Sequence, residues 1–181
     1  MKKFLSILSI FLVALIAIGA AGCLDDDVVV DDDFDKDAVI DFDFDESIVT
    51  VDPAPEGFTF LAAQQVTANE DVLGVTDEVQ GLAGYYSYDG LNVYLSGYVC
   101  TNAGAAVDYI SQMKQEVERL QGDVSTVTIN DHNATLLKLT TTAGNEKFIL
   151  VWNVDNLLIV VDAPERQPYD AIKTLAEASG L

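Results

Sequence analysis

The chain divides into three parts by its pattern of apolar and polar positions. Residues 4–21 are almost continuously apolar, residues 24–56 are dominated by clusters of aspartate, and residues 57–181 carry short apolar runs separated by turn-forming residues. Short patterned runs are typical of strands and helices, whereas dense like charges favour an extended, solvated chain. We therefore predict a leader over residues 1–22, a flexible acidic tether over residues 23–56 and a single domain over residues 57–181.

The clearest element of the domain is a hairpin around Asp89-Gly90, a dipeptide suited to the two-residue type I′ turn. Its strands are predicted over residues 81–88 and 91–100. A two-residue loop fixes the register and places Tyr85 opposite Tyr94. One face of the hairpin is then apolar, and the other carries Tyr85, Tyr94 and Tyr98.

Helical spacing marks the segment that follows this hairpin. Apolar residues recur there on one stripe, which comprises Ala106, Ile110, Met113, Val117 and Leu120. Thr101-Asn102 offers an N-cap and Gly122 a stop, so the pattern predicts a helix over residues 106–120. A second helix is predicted to begin at Pro168 and to run through residue 178.

The remaining apolar runs predict strands separated by polar turns. These strands cover residues 58–66, 125–129, 134–141, 147–153 and 157–161, with a weaker run at residues 72–75. Apolar residues on both sides of the later runs indicate central strands covered on two faces, or strands covered by helices on one face. The sequence therefore predicts an α+β domain, with an antiparallel sheet of about six or seven strands and two helices packed on it.

The leader has the features of an export signal. Lys2 and Lys3 precede the apolar run, which ends in Ala20-Ala21-Gly22-Cys23. These four residues resemble a lipobox, the signal at which lipoproteins are cut and lipidated on the cysteine. The resemblance implies that Cys23 carries a diacylglyceryl group, which has the two chains that durable anchoring needs. The alternative is an uncleaved helical anchor, and both readings place the domain outside the cytoplasmic membrane.

Charge limits the classes of partner. The formal net charge is −21, and residues 24–56 contribute fourteen acidic side chains against one lysine. Nucleic acid is excluded as a partner, because binding phosphates requires clustered Lys and Arg. The acidic tether could instead associate with Ca²⁺ or Mg²⁺, which makes a cation-associated envelope structural protein the second functional hypothesis. An EF-hand loop beginning at Asp41 does not fit, since its sixth and twelfth positions are Glu46 and Asp52. The alternation of residues 40–45 could also add a strand to a sheet edge.

Residues that often carry chemistry have simple roles in this sequence. Cys100 is predicted to be a small buried apolar residue, and His132 a turn residue. Asn133-Ala134-Thr135 is a glycosylation sequon. The chain has no nucleophile elbow, phosphate loop or metal-ligand spacing, so we predict neither an enzyme, nor a cofactor, nor a metal site.

The tyrosine-bearing side of the hairpin is the predicted binding surface. Tyrosines give amphipathic contact area at low entropic cost, and they are common in recognition patches. The surface would comprise Tyr85, Tyr94 and Tyr98, with an unidentified protein or small ligand as partner. The alternative is that these rings pack under a helix or under the N-terminal strand.

Two resemblances extend this interpretation. Trp152, the turn at Asp155-Asn156 and the later Ile172 and Leu175 give residues 127–178 an order similar to a domain of unknown function. That domain is found at the C-termini of secreted lipoproteins and of membrane-bound anti-sigma-type proteins. The order of elements in the whole domain resembles the photosystem II oxygen-evolving-protein and Mog1-type fold. Members of that fold are mostly binding or assembly factors. The expectation is a lipid-anchored binding module on the extracytoplasmic side of a cell membrane.

Overall fold

The computed structural model describes residues 45–68, 79–141, 143–164 and 166–181. These residues form a seven-stranded antiparallel sheet with two helices packed on it, which confirms the predicted α+β fold. The strands are β1 (Phe58–Ala68), β2 (Val79–Tyr88), β3 (Leu91–Val99), β4 (Asp123–Ile129), β5 (His132–Thr140), β6 (Glu146–Val154) and β7 (Leu157–Asp162), and the helices are α1 (Ala103–Arg119) and α2 (Tyr169–Ala178). The predicted leader, most of the tether and the weak run at residues 72–75 lie outside the described residues.

Two antiparallel meanders lie side by side in the sheet. The strand order is β1-β2-β3-β7-β6-β5-β4, so the last strand of the second meander pairs with the last strand of the first. Helix α1 carries the chain from the middle of the sheet, at the end of β3, to the far edge, where β4 begins. The second meander then returns to the middle strand by strand.

Tight turns set the registers of the hairpins. Asp89 and Gly90 have φ angles of 51° and 76°, as a type I′ turn requires. The predicted pairing of Tyr85 with Tyr94 is confirmed. Asn130 and Asp131 also have positive φ, 45° and 66°, and they form another two-residue loop. The predicted strands leave residues 130–133 as a turn, whereas His132 already pairs with Ile129 at the start of β5.

Both faces of the middle of the sheet are covered, each by a different helix. Ile149 and Val151 belong to the apolar cluster under α1, whereas Leu150 and Trp152 belong to the cluster under α2. Successive side chains of a strand point to opposite faces, so the continuous apolar run of β6 is explained by burial on both. We call the two sides of the sheet the α1 face and the α2 face.

The ends of α1 are fixed by local hydrogen bonds. The Asn102 side chain accepts a hydrogen bond from the Ala105 N–H at 3.0 Å, as the predicted N-cap requires. At the other end Gln121, not Gly122, takes the left-handed conformation, with φ of 61°. The Gly122 N–H then donates to the Val117 carbonyl at 2.8 Å, the long hydrogen bond of a Schellman motif. Gly122 is needed for a different reason, since an added Cβ would meet the Lys138 carbonyl oxygen at 2.5 Å.

Residues 45–57, which we call the strap, pack on the α2 face next to β2 and β3. The strap begins with a short 3₁₀ turn, Glu46–Ile48, capped by the Asp45 carboxylate. Val49 is fully buried, and its carbonyl oxygen accepts a hydrogen bond from the Tyr86 hydroxyl at 2.8 Å. The acidic composition predicts a flexible tether as far as residue 56. The described part of that range instead belongs to the domain, because its apolar side chains have a sheet surface to pack on.

Candidate binding surface

Helix α1 covers the α1 face only in part. It packs on β4 to β7 and ends against β5, where Gly122 approaches Lys138 and Leu139. Among the described elements, the main helix contacts fall on β3 to β7, and the cluster under α1 also includes Tyr98 of β3 and Val79 at the start of β2. Side chains of β1, β2 and β3 on the α1 face therefore stay partly or wholly exposed around the tyrosine pair. We call this region the open face, and its residues are Ala62, Gln64, Tyr85, Ser87, Asn92 and Tyr94.

Tyr85 and Tyr94 form the centre of the open face. They are cross-strand partners, and their ring centroids lie 4.9 Å apart with the ring planes inclined at 65°. This edge-to-face arrangement is a favourable geometry for two aromatic quadrupoles. Both side chains are half-buried, and partial burial raises the pKa of the Tyr85 phenol. The pair is therefore an ordered aromatic corner on the protein surface.

Tyr98 shares this side of the sheet but not the surface. It is 8% exposed and packs in the cluster under α1 with Cys100 and Ala106. Burial, and secondarily the Asp162 carboxylate, raise the pKa of Tyr98 to about 12, against a hydrogen bond with Ser96 that lowers it. Strand periodicity placed Tyr98 on the correct face but could not show where the helix would cross. The structure thus assigns Tyr98 to the core and leaves Tyr85 and Tyr94 on the surface.

An ion pair that we did not predict borders the open face. One row of the sheet runs across the α1 face through Ala62, Tyr85, Tyr94 and Asp162. The Asp162 Oδ2 lies 3.3 Å from the Lys147 Nζ, and both side chains are largely buried, at 16% and 11% exposed. The sequence carried a weak signal for this pair. Lys147 precedes the apolar run of β6, and Asp162 follows that of β7. A charged residue at the end of a strand is usually exposed to solvent, so the sequence alone favours two separate, solvated charges.

The remaining candidate residues lie elsewhere. Cys100 is a free thiol with 3% exposure, so the predicted buried apolar role is confirmed. Burial raises the pKa of Cys100 to about 11, which keeps it protonated at neutral pH. His132 is half-buried at the start of β5. Asn133, the sequon asparagine, is exposed on β5, while its threonine, Thr135, is buried in the same strand.

Within residues 45–68, 79–141, 143–164 and 166–181, there is no group of three or more His, Cys, Asp or Glu side chains that could hold a metal ion. Neither described helix has both the length and the hydropathy needed to cross a bilayer. Cys23 and the aspartate clusters of the predicted tether lie outside the described part of the chain.

Comparisons with known proteins found no matching family model, no matching curated protein and no matching solved structure. The two resemblances drawn from the order of elements therefore stay predictions, and the candidate site depends on its own geometry.

Proposed function

We propose that this protein is a lipid-anchored, non-catalytic binding module on the extracytoplasmic side of a cell membrane, and that it binds its partner on the open face. The observation that carries this proposal is the Tyr85–Tyr94 corner, which is ordered but left half-exposed beside a helix. Aromatic surface that stays exposed to water does not contribute the stabilisation that its burial would give. Tyrosines are enriched at interfaces, where their apolar rings contact the partner and their hydroxyls form hydrogen bonds.

The opposite corner of the same sheet face supports this interpretation by contrast. Beyond the other side of α1, the α1 face presents Thr126, Thr128 and Asn133, which are all exposed. These small polar side chains are typical of a sheet surface that faces water. The two uncovered corners thus differ in composition, although they share a sheet and a covering helix. An uncovered corner of this sheet can therefore consist of small polar side chains, so the fold itself does not require Tyr85 and Tyr94 at the other corner.

The position of the strap also favours binding on the open face. Val49 and Ile48 pack on the α2 face, against Gly84 and Gly97. The chain therefore reaches the domain on the side of the sheet that faces away from Tyr85 and Tyr94. A tether that enters there leaves the open face accessible to a partner.

Site-specific cross-linking tests the binding surface in cells. A photoreactive phenylalanine analogue replaces Asn92, which is exposed beside the tyrosine pair, or Thr174, which is exposed on α2. We expect adducts from position 92 that disappear when Tyr85→Ser and Tyr94→Ser are added. Position 174 serves as the matched control and should give none of these adducts. Equal adducts from both positions, or none from position 92, would contradict the proposal.

The anchor is tested by the intact mass of the protein purified from membranes. We expect a chain that begins at Cys23 and carries a diacylglyceryl group. A mass that includes the leader would replace the lipid anchor with an uncleaved helix. This measurement is independent of the open face, so either part of the proposal can fail without the other.

A further inference from the structure

The charge balance of the open face restricts the chemistry of its ligand. Its exposed and half-exposed polar residues are uncharged: Gln64, Ser87 and Asn92 carry amides or a hydroxyl. Asp162, the acid in the same row of the sheet as Tyr85 and Tyr94, is already paired with Lys147 at 3.3 Å. A cationic ligand would therefore have to compete with that ammonium group, and an anionic ligand would meet a protein of net charge −21.

The aromatic corner adds a shape requirement. The Tyr85 and Tyr94 rings meet at 65°, so they offer two apolar surfaces at a steep angle, not one flat platform. Phenol rings are apolar on their faces and polar at one end. A matching ligand needs a compact apolar face that fits against a ring, with donors and acceptors around its rim for the neighbouring amides and hydroxyls.

We infer that the open face binds a neutral saccharide, with the apolar C–H face of a sugar ring held against the Tyr85–Tyr94 corner and its hydroxyls bonded to Gln64, Ser87 and Asn92. This inference rests on the proposed binding function and names its ligand class. A pyranose combines a C–H face with a rim of hydroxyls and carries no charge. A peptide strand would instead need free backbone groups at a sheet edge. Among the described strands, only the outer edge of β1 offers them on this side of the sheet, and a strand added there would lie beyond β1, whereas Tyr85 and Tyr94 lie on β2 and β3, which are paired on both sides.

Binding of defined oligosaccharides tests the inference. The full chain is prepared in a detergent without a sugar headgroup, and saturation-transfer NMR is recorded with tetra-N-acetylchitotetraose, cellotetraose and maltotetraose in turn. A tetragalacturonate of similar length is the anionic control. We expect transfer from tyrosine ring protons to at least one neutral oligosaccharide, and no transfer to the anionic one. Absence of transfer to all three neutral probes, or equal transfer to the acidic one, would overturn the inference.

Variants locate the binding on the surface. Tyr85→Ser and Tyr94→Ser should each weaken the affinity by about tenfold or more, the loss expected for one buried aromatic contact. Asn92→Ala changes only an exposed side chain and should weaken binding without affecting folding. Tyr169→Ser is the matched control, because it removes a half-buried tyrosine from α2, where Tyr169 contacts Phe148. Unchanged affinity in all three open-face variants would also overturn the inference.

Folding is monitored by an independent reporter. Trp152 is the only tryptophan, it is 1% exposed, and it lies on the α2 face. Its emission therefore reports whether each variant is folded, not whether sugar is bound. The outcome also separates this inference from the proposed function. Cross-linking of a protein at position 92, with no response to the oligosaccharides, would retain the open face as a binding surface and reject the saccharide.

Discussion

The hydroxyl of Tyr86 lies 2.8 Å from the carbonyl oxygen of Val49 and joins the sheet to a segment thirty-seven residues earlier in the chain. The Tyr86 hydroxyl oxygen also accepts a hydrogen bond from the Val51 N–H, at 2.8 Å. Tyr86 is fully buried, and its bond to the Val49 carbonyl is shielded from water, whereas the bond from the Val51 N–H is partly buried. The Tyr86 hydroxyl thus forms hydrogen bonds with two backbone groups of the strap, one on each side of residue 50, and holds the strap on the α2 face.

Tyr86→Phe should lower the free energy of unfolding by about 1–3 kcal/mol, because it leaves a buried carbonyl and an N–H without their partner. The measurement is equilibrium denaturation followed by Trp152 emission. Tyr88→Phe is the control. Tyr88 is half-exposed two residues along the same strand, and its ring contact with Phe58 at 4.7 Å survives the loss of the hydroxyl. Equal losses in both variants would mean that the strap bonds contribute nothing specific.

The strap was the part of the fold that the sequence analysis missed. The acidic composition of residues 24–56 as a whole predicts a solvated chain. Within that range, however, the run from Ser47 to Val51 carries no charge and is mostly apolar. Two glycines were the other available signal. An added Cβ at Gly84 would meet the Val49 carbonyl oxygen at 2.2 Å, and one at Gly97 would meet the Ile48 Cγ2 at 2.7 Å. A glycine inside a strand often marks close approach by another backbone, but it does not say which segment approaches.

The strands, the helices and the hairpin register were predictable because each depends on local pattern and turn chemistry. Asp89-Gly90 determined the pairing of Tyr85 with Tyr94, and β6 and β7 read as buried strands because both their faces are apolar. The path of α1 over the sheet depends on contacts distant in sequence. For that reason the sequence places Tyr98 on the binding surface, whereas it is buried in the apolar cluster under α1, and the Lys147–Asp162 pair is not predicted.

The C-terminal end of α1 offers two neighbouring substitutions with opposite expected effects. Gln121 is exposed and holds a φ of 61°, so Gln121→Gly should stabilise the protein by about 0.5–1 kcal/mol. Gly122→Ala should destabilise it by about 1–3 kcal/mol, because the new methyl group would collide with the Lys138 carbonyl and with Val117. Thermal unfolding of both variants checks the pair. A gain from Gly122→Ala would show that β5 can move away at little cost.

Stability should fall at alkaline pH because of groups under α1. The pKa of Tyr98 is raised in the folded protein from 10.0 to about 12, so the folded state retains a proton that the unfolded state has lost. The stabilisation is fully present below about pH 10 and is lost as the pH rises through about 12, with a two-unit shift corresponding to about 3 kcal/mol. Cys100, raised from 9.0 to about 11, adds a loss that begins at lower pH.

Denaturation midpoints measured from about pH 8 to about pH 11 test this pH dependence. Tyr98→Phe is expected to be less stable at neutral pH, because buried Ser96 loses its hydrogen-bond partner, but its stability should fall less steeply above about pH 10. Cys100→Ala should flatten the profile in the range just above about pH 9. A Tyr98→Phe profile parallel to that of the wild type would assign the alkaline loss to other groups.

Thiol counting links the core to the proposed anchor. Cys100 is 3% exposed, and burial raises its pKa to about 11, so its thiolate fraction near neutral pH is about a hundredfold below that of an unperturbed cysteine. We expect no labelling by a thiol reagent in the native, reduced protein from membranes, and labelling at Cys100 once it is denatured.

If Cys23 carries a diacylglyceryl thioether, the denatured chain has one reactive thiol. An unprocessed chain has two reactive thiols. The Cys100→Ala variant distinguishes the cases, because it has no reactive thiol if Cys23 is lipidated and one if Cys23 is free. Two thiols in the membrane-derived protein would reject lipidation of Cys23, and rapid native labelling of Cys100 would contradict its burial.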